Sequence, residues 1–182
     1  MKKLILLTFI VLISGTCAAV AKITASKQFN GIFMNYFIKK NTAQLPEMIN
    51  FISENNLYEV KNSKSPLYGF FAGIKHETPA EFGNLEKMNV TDSTRKMLKS
   101  AKEYEFIVQD ILKRNNYYLE SPAALDAFWG YFFATGDERI IKKLCYTEQN
   151  SPDYLVKAAA EWSLNSNRKQ YPWKIKACSA YK

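Results

Sequence analysis

The stretch from Ser121 to Cys145, SPAALDAFWGYFFATGDERIIKKLC, limits the possible folds of this chain more than any other. Ser121 is a helix N-cap residue type. Pro122 follows at the first helical position, where its missing N–H costs nothing. From there to Thr135 the only charged side chain is Asp126. Gly136 can adopt the left-handed conformation that ends a helix, and Asp137 can cap the next one, Glu138–Cys145. At roughly 100° per residue, Leu125, Phe128, Trp129 and Phe132 form one bulky stripe, while Ala123, Ala127, Gly130 and Ala134 form a small-residue stripe on the far side. A helix that is apolar all round is buried, and a stripe of Ala and Gly admits a neighbouring backbone. The segment therefore predicts a helical hairpin whose first arm is the central post of an all-α domain.

The start of the chain reads as a leader rather than as part of that domain. Lys2-Lys3 is a basic n-region, Leu4–Ile13 an apolar h-region and Ala19-Val20-Ala21 a small-x-small cleavage site. Cleavage after Ala21 predicts a periplasmic or secreted protein with one domain, 22–182. Cys17 raises a lipoprotein alternative. Ser14 and Thr16 stand where a lipoprotein signal carries a Leu-like and a small residue, so a soluble mature chain is the better reading. No later segment is long and apolar enough to span a bilayer.

Charge is positive: 25 basic against 17 acidic residues, a formal +8. Without Lys2 and Lys3, 23 basic residues face the same 17 acidic ones, a net +6. Arg168, Lys169, Lys174, Lys176 and Lys182 concentrate this excess after the last acidic residue, Glu161. With Tyr171 and Trp173 as interfacial aromatics, this C-terminal segment is a candidate binding surface for an anionic partner, set against the reading of a solvated terminal helix.

Two cysteines remain after leader removal, Cys145 and Cys178. In an oxidising compartment an even pair predicts a disulfide, here tying the end of the hairpin to the C-terminal segment. Two buried thiols are the alternative.

The rest of the mature chain repeats helical signals. Phe29, Ile32, Phe33 and Tyr36 recur at i, i+3, i+4, i+7. Asn41 is placed to cap a helix whose buried face is Leu45, Met48, Ile49 and Ile52. Leu57–Lys64 reads as a polar connector. Ser65-Pro66 opens a helix with Leu67, Phe70, Phe71 and Ile74 inward and a thin side at Gly69 and Gly73. Thr78-Pro79-Ala80-Glu81 is a capping box. Thr91 or Asp92 starts a polar helix with one stripe, Leu98, Ala101, Tyr104, Val108 and Ile111. Ser151-Pro152 starts another, with Leu155, Ala158, Ala159 and Trp162 expected inward. Tyr171–Tyr181 completes eight or nine helices. The Ser-Pro and Thr-Pro openings, and the echo of GYFFATG around Gly130 in GFFAG around Gly69, favour an array of short antiparallel hairpins of helical-repeat character over a four-helix bundle.

LDAFWGYFFATGDERII followed by AAAEWSLNSN resembles a pattern of uncharacterised bacterial exported all-helical proteins of the tetratricopeptide or HEAT kind. The resemblance covers residues 121–167. It implies the fold class and export, with no activity, substrate or site residue attached.

Chemistry is limited by shortage. His76 is the sole histidine. The position four residues on, which a zinc-peptidase helix would need as histidine, is Ala80 beyond Pro79. A surface place at a helix end is expected for His76. No phosphate loop, Gly-x-Ser-x-Gly elbow or Cys-x-x-Cys pair is present, and no residue set points to a metal or cofactor. Asp126 is the one catalytic candidate, a carboxylate that would need an open cleft and a second polar group, or else a partner such as Arg139. Trp129, Tyr131 and Phe133 are core at this spacing, with a ligand groove the alternative. These readings favour a non-enzymatic module that binds another envelope or secreted protein. An envelope hydrolase acting through Asp126 and an anionic-surface binder are the alternatives, and no specific nucleic-acid binding is expected.

Overall fold

The computed structural model describes residues 22–168 together with Gln170 and Cys178. These residues form an all-α structure of eight helices: α1 Ser26–Lys39, α2 Leu45–Glu54, α3 Lys64–Glu77, α4 Pro79–Glu86, α5 Asp92–Lys113, α6 Pro122–Thr135, α7 Glu138–Asn150 and α8 Tyr154–Arg168. Short 3-10 turns, Thr42–Gln44 and Leu57–Glu59, flank α2. The described residues contain no strand and no helix long and apolar enough to cross a membrane. The leader, 1–21, and the predicted last helix, Tyr171–Tyr181, lie outside the described residues.

The hairpin at the centre forms as its residues dictate. Ser121 Oγ accepts the Ala124 N–H at 3.2 Å. Gly136 takes φ 71°, and Asp137 Oδ1 accepts the Arg139 N–H at 2.9 Å to start α7. Elsewhere the caps differ from expectation. Asn41 precedes a 3-10 turn and makes no side-chain cap. Thr78 stands at the start of α4, but its hydroxyl donates back to Ile74 O at 3.1 Å, closing α3 instead of capping α4. α3 begins at Lys64, one residue before the Ser65-Pro66 signal. α8 is capped by Asp153, whose Oδ1 accepts from Leu155 N at 2.8 Å and Val156 N at 3.3 Å, rather than by Ser151. The Leu57–Lys64 connector holds a buried anchor, Tyr58.

α3 and α6 form the centre together, although α4 and α5 separate them in sequence. The thin side of each meets the backbone of the other. A methyl on Gly69 would overlap the carbonyl of Ala127, and one on Gly130 would overlap the carbonyl of Pro66. On Gly73 it would lie 2.6 Å from the Ala134 methyl. The two echoing segments, GFFAG and GYFFATG, are thus the two halves of one close contact. Their bulky residues turn outward from this seam: Phe70, Phe71, Phe128, Tyr131 and Phe132 are fully buried. α1 closes one side, with Phe33 stacked on Phe70 at 4.6 Å between centroids and edge-on to Phe133 at 5.8 Å. α5 closes another with Met97, Leu98, Ala101 and Val108, all buried. Trp129, Tyr131 and Phe133 are core residues.

One expected face is wrong. Leu155 and Trp162 do not point inward; α8 buries Val156, Ala160, Ser163 and Leu164 against α7 and α6. The helix carries two apolar rows: the body of the protein covers the second, and of the first Ala159 packs against the core while Leu155 and Trp162 stay outside.

Candidate functional site

Asp126 stands on the solvent side of α6, exposed, on a helix otherwise buried over most of its length. Partial burial alone pushes its carboxyl above the ordinary range, with no charged neighbour contributing. It has no hydrogen-bond or ion-pair partner among the described residues. Arg139, the partner considered for it, is instead held by Asp137 through Nε at 3.0 Å and Nη2 at 2.6 Å. Among the described residues, no second polar group of the kind a carboxylate-based hydrolase would require is brought to Asp126.

Of the basic C-terminal candidates, Arg168 is exposed at the end of α8. Lys169, Tyr171, Trp173, Lys174 and Lys176 lie outside the described residues. Cys145, fully buried on α7, is joined to Cys178 with 5.4 Å between Cα atoms, inside the range a disulfide spans.

Tertiary packing assembles a polar junction that single-residue reading missed. His76 is exposed in the last turn of α3, as expected, but its Nδ1 lies 3.3 Å from Glu105 Oε1, while Lys75 Nζ lies 3.4 Å from Glu105 Oε2. Glu105 is buried on α5, so both of its oxygens have a partner. A buried carboxylate needs this, because desolvation without pairing is expensive. Beside it the phenol of Tyr131 accepts from Gln109 Nε2 at 2.6 Å, and burial pushes that phenol far above its ordinary range. The groups pair with one another, and the junction ties α3, α5 and α6 together. The signal was faint: Glu105 sits among charged neighbours on the most polar helix. No group of three or more His, Cys, Asp or Glu side chains among the described residues could hold a metal.

The arrangement with binding character is the outward face of α8. Leu155, Ala159, Trp162 and Ser166 fall within about 60° of one another around the helix. Leu155 is 71% exposed and Trp162 73%, with Tyr154 at 79% one step round. Small residues lie between the large ones, and a shallow hollow beside Trp162 is lined by Ala158, Glu161, Asn165 and Ser166. The helix that presents this row is fixed from behind by Val156, Ala160 and Leu164, by the Asp153 cap, and by Lys157 Nζ reaching Gln149 O at 3.3 Å. Two large apolar side chains and a tyrosine, each more than two-thirds exposed on a helix anchored from behind, are a poor fit to plain solvent contact. The face is flat and has an apolar middle with a rim of amide, hydroxyl and carboxylate groups.

Compared with protein-family models, with curated proteins and with solved structures, the chain matches none.

Proposed function

We propose that this chain is a non-enzymatic binding module of the bacterial envelope, exported through its N-terminal leader, and that α8 docks another protein. One observation carries the reading: Leu155 and Trp162, with Tyr154 beside them, stand exposed on a helix whose opposite side is buried. Trp and Tyr are the residues that most often dominate protein interfaces, because they bury a large area while losing few rotors. Alanine between Leu155 and Trp162 lets a partner's backbone approach, and Glu161, Asn165 and Ser166 supply a polar rim. The Cys145–Cys178 link supports an oxidising compartment.

The experiment is site-specific photocrosslinking in the exporting cell. A crosslinker at Ala158, on the α8 face, should give one discrete adduct that disappears when Trp162→Glu is added. A crosslinker at Ala123, exposed on α6, should not give it. Identical adducts from both positions, or none from Ala158, would refute the reading.

A further inference from the structure

A cleft opens between the first turns of α1 and α3, away from the α8 face and from the polar junction. At 260 Å³ it sits just below the roughly 300–1,000 Å³ of drug-sized sites. Phe29 and Phe33 of α1, Phe51 of α2 and Leu67 of α3 wall it, and all four are buried. The three rings form a near-parallel run. Phe51 and Phe29 lie 5.2 Å apart at 20°, and Phe29 and Phe33 lie 5.7 Å apart at 25°. Core packing fixes this run, since Phe33 also stacks on Phe70. Another wall is held as firmly: Pro66 lines the cleft, and its carbonyl is the one seated against Gly130. The walls are therefore in place before anything enters. The mouth carries neutral polar side chains, Asn30 on α1 and Asn62 and Ser63 just before α3. None of these three side chains has a hydrogen-bond partner among the described residues, and Ser63 precedes α3 without capping it. No charged side chain lines the cleft. Of the neighbouring cations, Lys27 lines a different hollow along α1, and Lys64 pairs with Glu59 at 3.7 Å.

We propose that this cleft binds a small, neutral, planar ring compound that carries a hydrogen-bonding group. Each property follows from the lining. Neutrality follows from the absence of any charged side chain, because a charged ligand would be desolvated there without a counter-charge. Planarity follows from the ring run, since phenylalanines offer a flat ring offset-stacked or edge-to-face contacts that an aliphatic chain cannot make. The hydrogen-bonding group follows from Asn30 and Asn62, whose amides each supply donors and an acceptor at the mouth. A buried apolar wall with a few uncommitted polar groups at its edge is the usual form of a small-molecule site. The inference is independent of the α8 docking face and uses none of its residues.

The test is isothermal titration calorimetry of the purified chain with 2-naphthol, a neutral planar ring compound with one hydroxyl. Saturable binding at one site is expected. Naphthalene, which lacks the hydroxyl, should bind about two- to tenfold more weakly, the worth of one hydrogen bond. 2-Naphthoate, its charged counterpart, should bind at least about tenfold more weakly. Asn30→Trp, which places a large ring at the mouth, should abolish binding of 2-naphthol. Asn62→Trp should do the same from the other rim. Both positions are exposed, so urea unfolding should confirm unchanged stability. Four results would overturn the proposal. One is the absence of saturable binding of 2-naphthol. Another is binding that survives both tryptophan variants, which would place the ligand on the α8 face or elsewhere. A third is equal affinity for 2-naphthoate, which would remove the claim of neutrality. The last is equal affinity for 1-octanol, which would make the cleft a site for aliphatic chains.

Discussion

The carbonyl oxygen of Pro66 occupies the space where Gly130 would carry a methyl group, and the carbonyl of Ala127 does the same to Gly69. The two glycines thus admit each other's helix, and the closeness of α3 to α6 depends on both. Overpacking a site walled by backbone cannot be relieved by a rotamer change. Gly130→Ala and Gly69→Ala should each destabilise by about 3 kcal/mol or more. Gly31, on α1, has nothing within 4 Å of an added methyl, so Gly31→Ala should stabilise by about 0.5–1 kcal/mol through helix propensity alone. Urea unfolding of the three variants would show the opposite signs. A neutral Gly130→Ala would mean that the helices are not in backbone contact.

Linking Cys145 to Cys178 closes a loop with a sequence separation of 33. On the chain-entropy model this contributes roughly 3–4 kcal/mol. Reduction should lower the thermal midpoint, and Cys145→Ala/Cys178→Ala should reproduce the loss. Mass spectrometry of the alkylated, unreduced protein should find no free thiol at either position.

The two sides of α8 should respond differently to truncation. Leu164 is buried against the body, so Leu164→Ala should cost about 2–4 kcal/mol. Trp162→Ala removes a larger side chain but should change stability by less than about 0.5 kcal/mol, since that side chain faces solvent. Calorimetry of the two variants decides it. A large loss for Trp162→Ala would place that residue in the core.

Asp137 links stability to pH. Partial burial opposes its ionisation, but hydrogen bonds from the Arg139 side chain and backbone, then the charges of Arg139 and His76, outweigh this and hold the carboxyl below its ordinary 3.8. A carboxyl more acidic in the folded chain stabilises above its unfolded value, and the contribution fades as pH falls through the folded one. Asp137→Ala should therefore cost about 1–2 kcal/mol near neutral pH, where it removes both a cap and an ion pair. The gap to the parent chain should close as pH drops below 3.8. Denaturation midpoints at neutral and acid pH measure it. A gap independent of pH would assign the whole effect to helix propensity.

What the sequence determined by itself was local. Helix class, the Ser121 cap, the Gly136 stop and the inward stripes of α2, α3 and α5 were legible because each depends on residues within a turn or two of one another. The sequence also showed both halves of the glycine seam, as the thin sides at Gly69 and Gly73 and at Ala127, Gly130 and Ala134, though not that they meet. Tertiary structure alone decided three things. It paired α3 with α6 across two intervening helices. It gathered His76, Lys75 and Glu105 from positions about thirty residues apart. It also chose which of the two apolar rows of α8 to bury. Periodicity ranks Leu155 and Trp162 as core because their hydrophobicity is the larger, yet burial follows where a neighbouring helix lies. α7 reaches Val156, Ala160 and Leu164, and so the larger side chains of α8 are left facing outward.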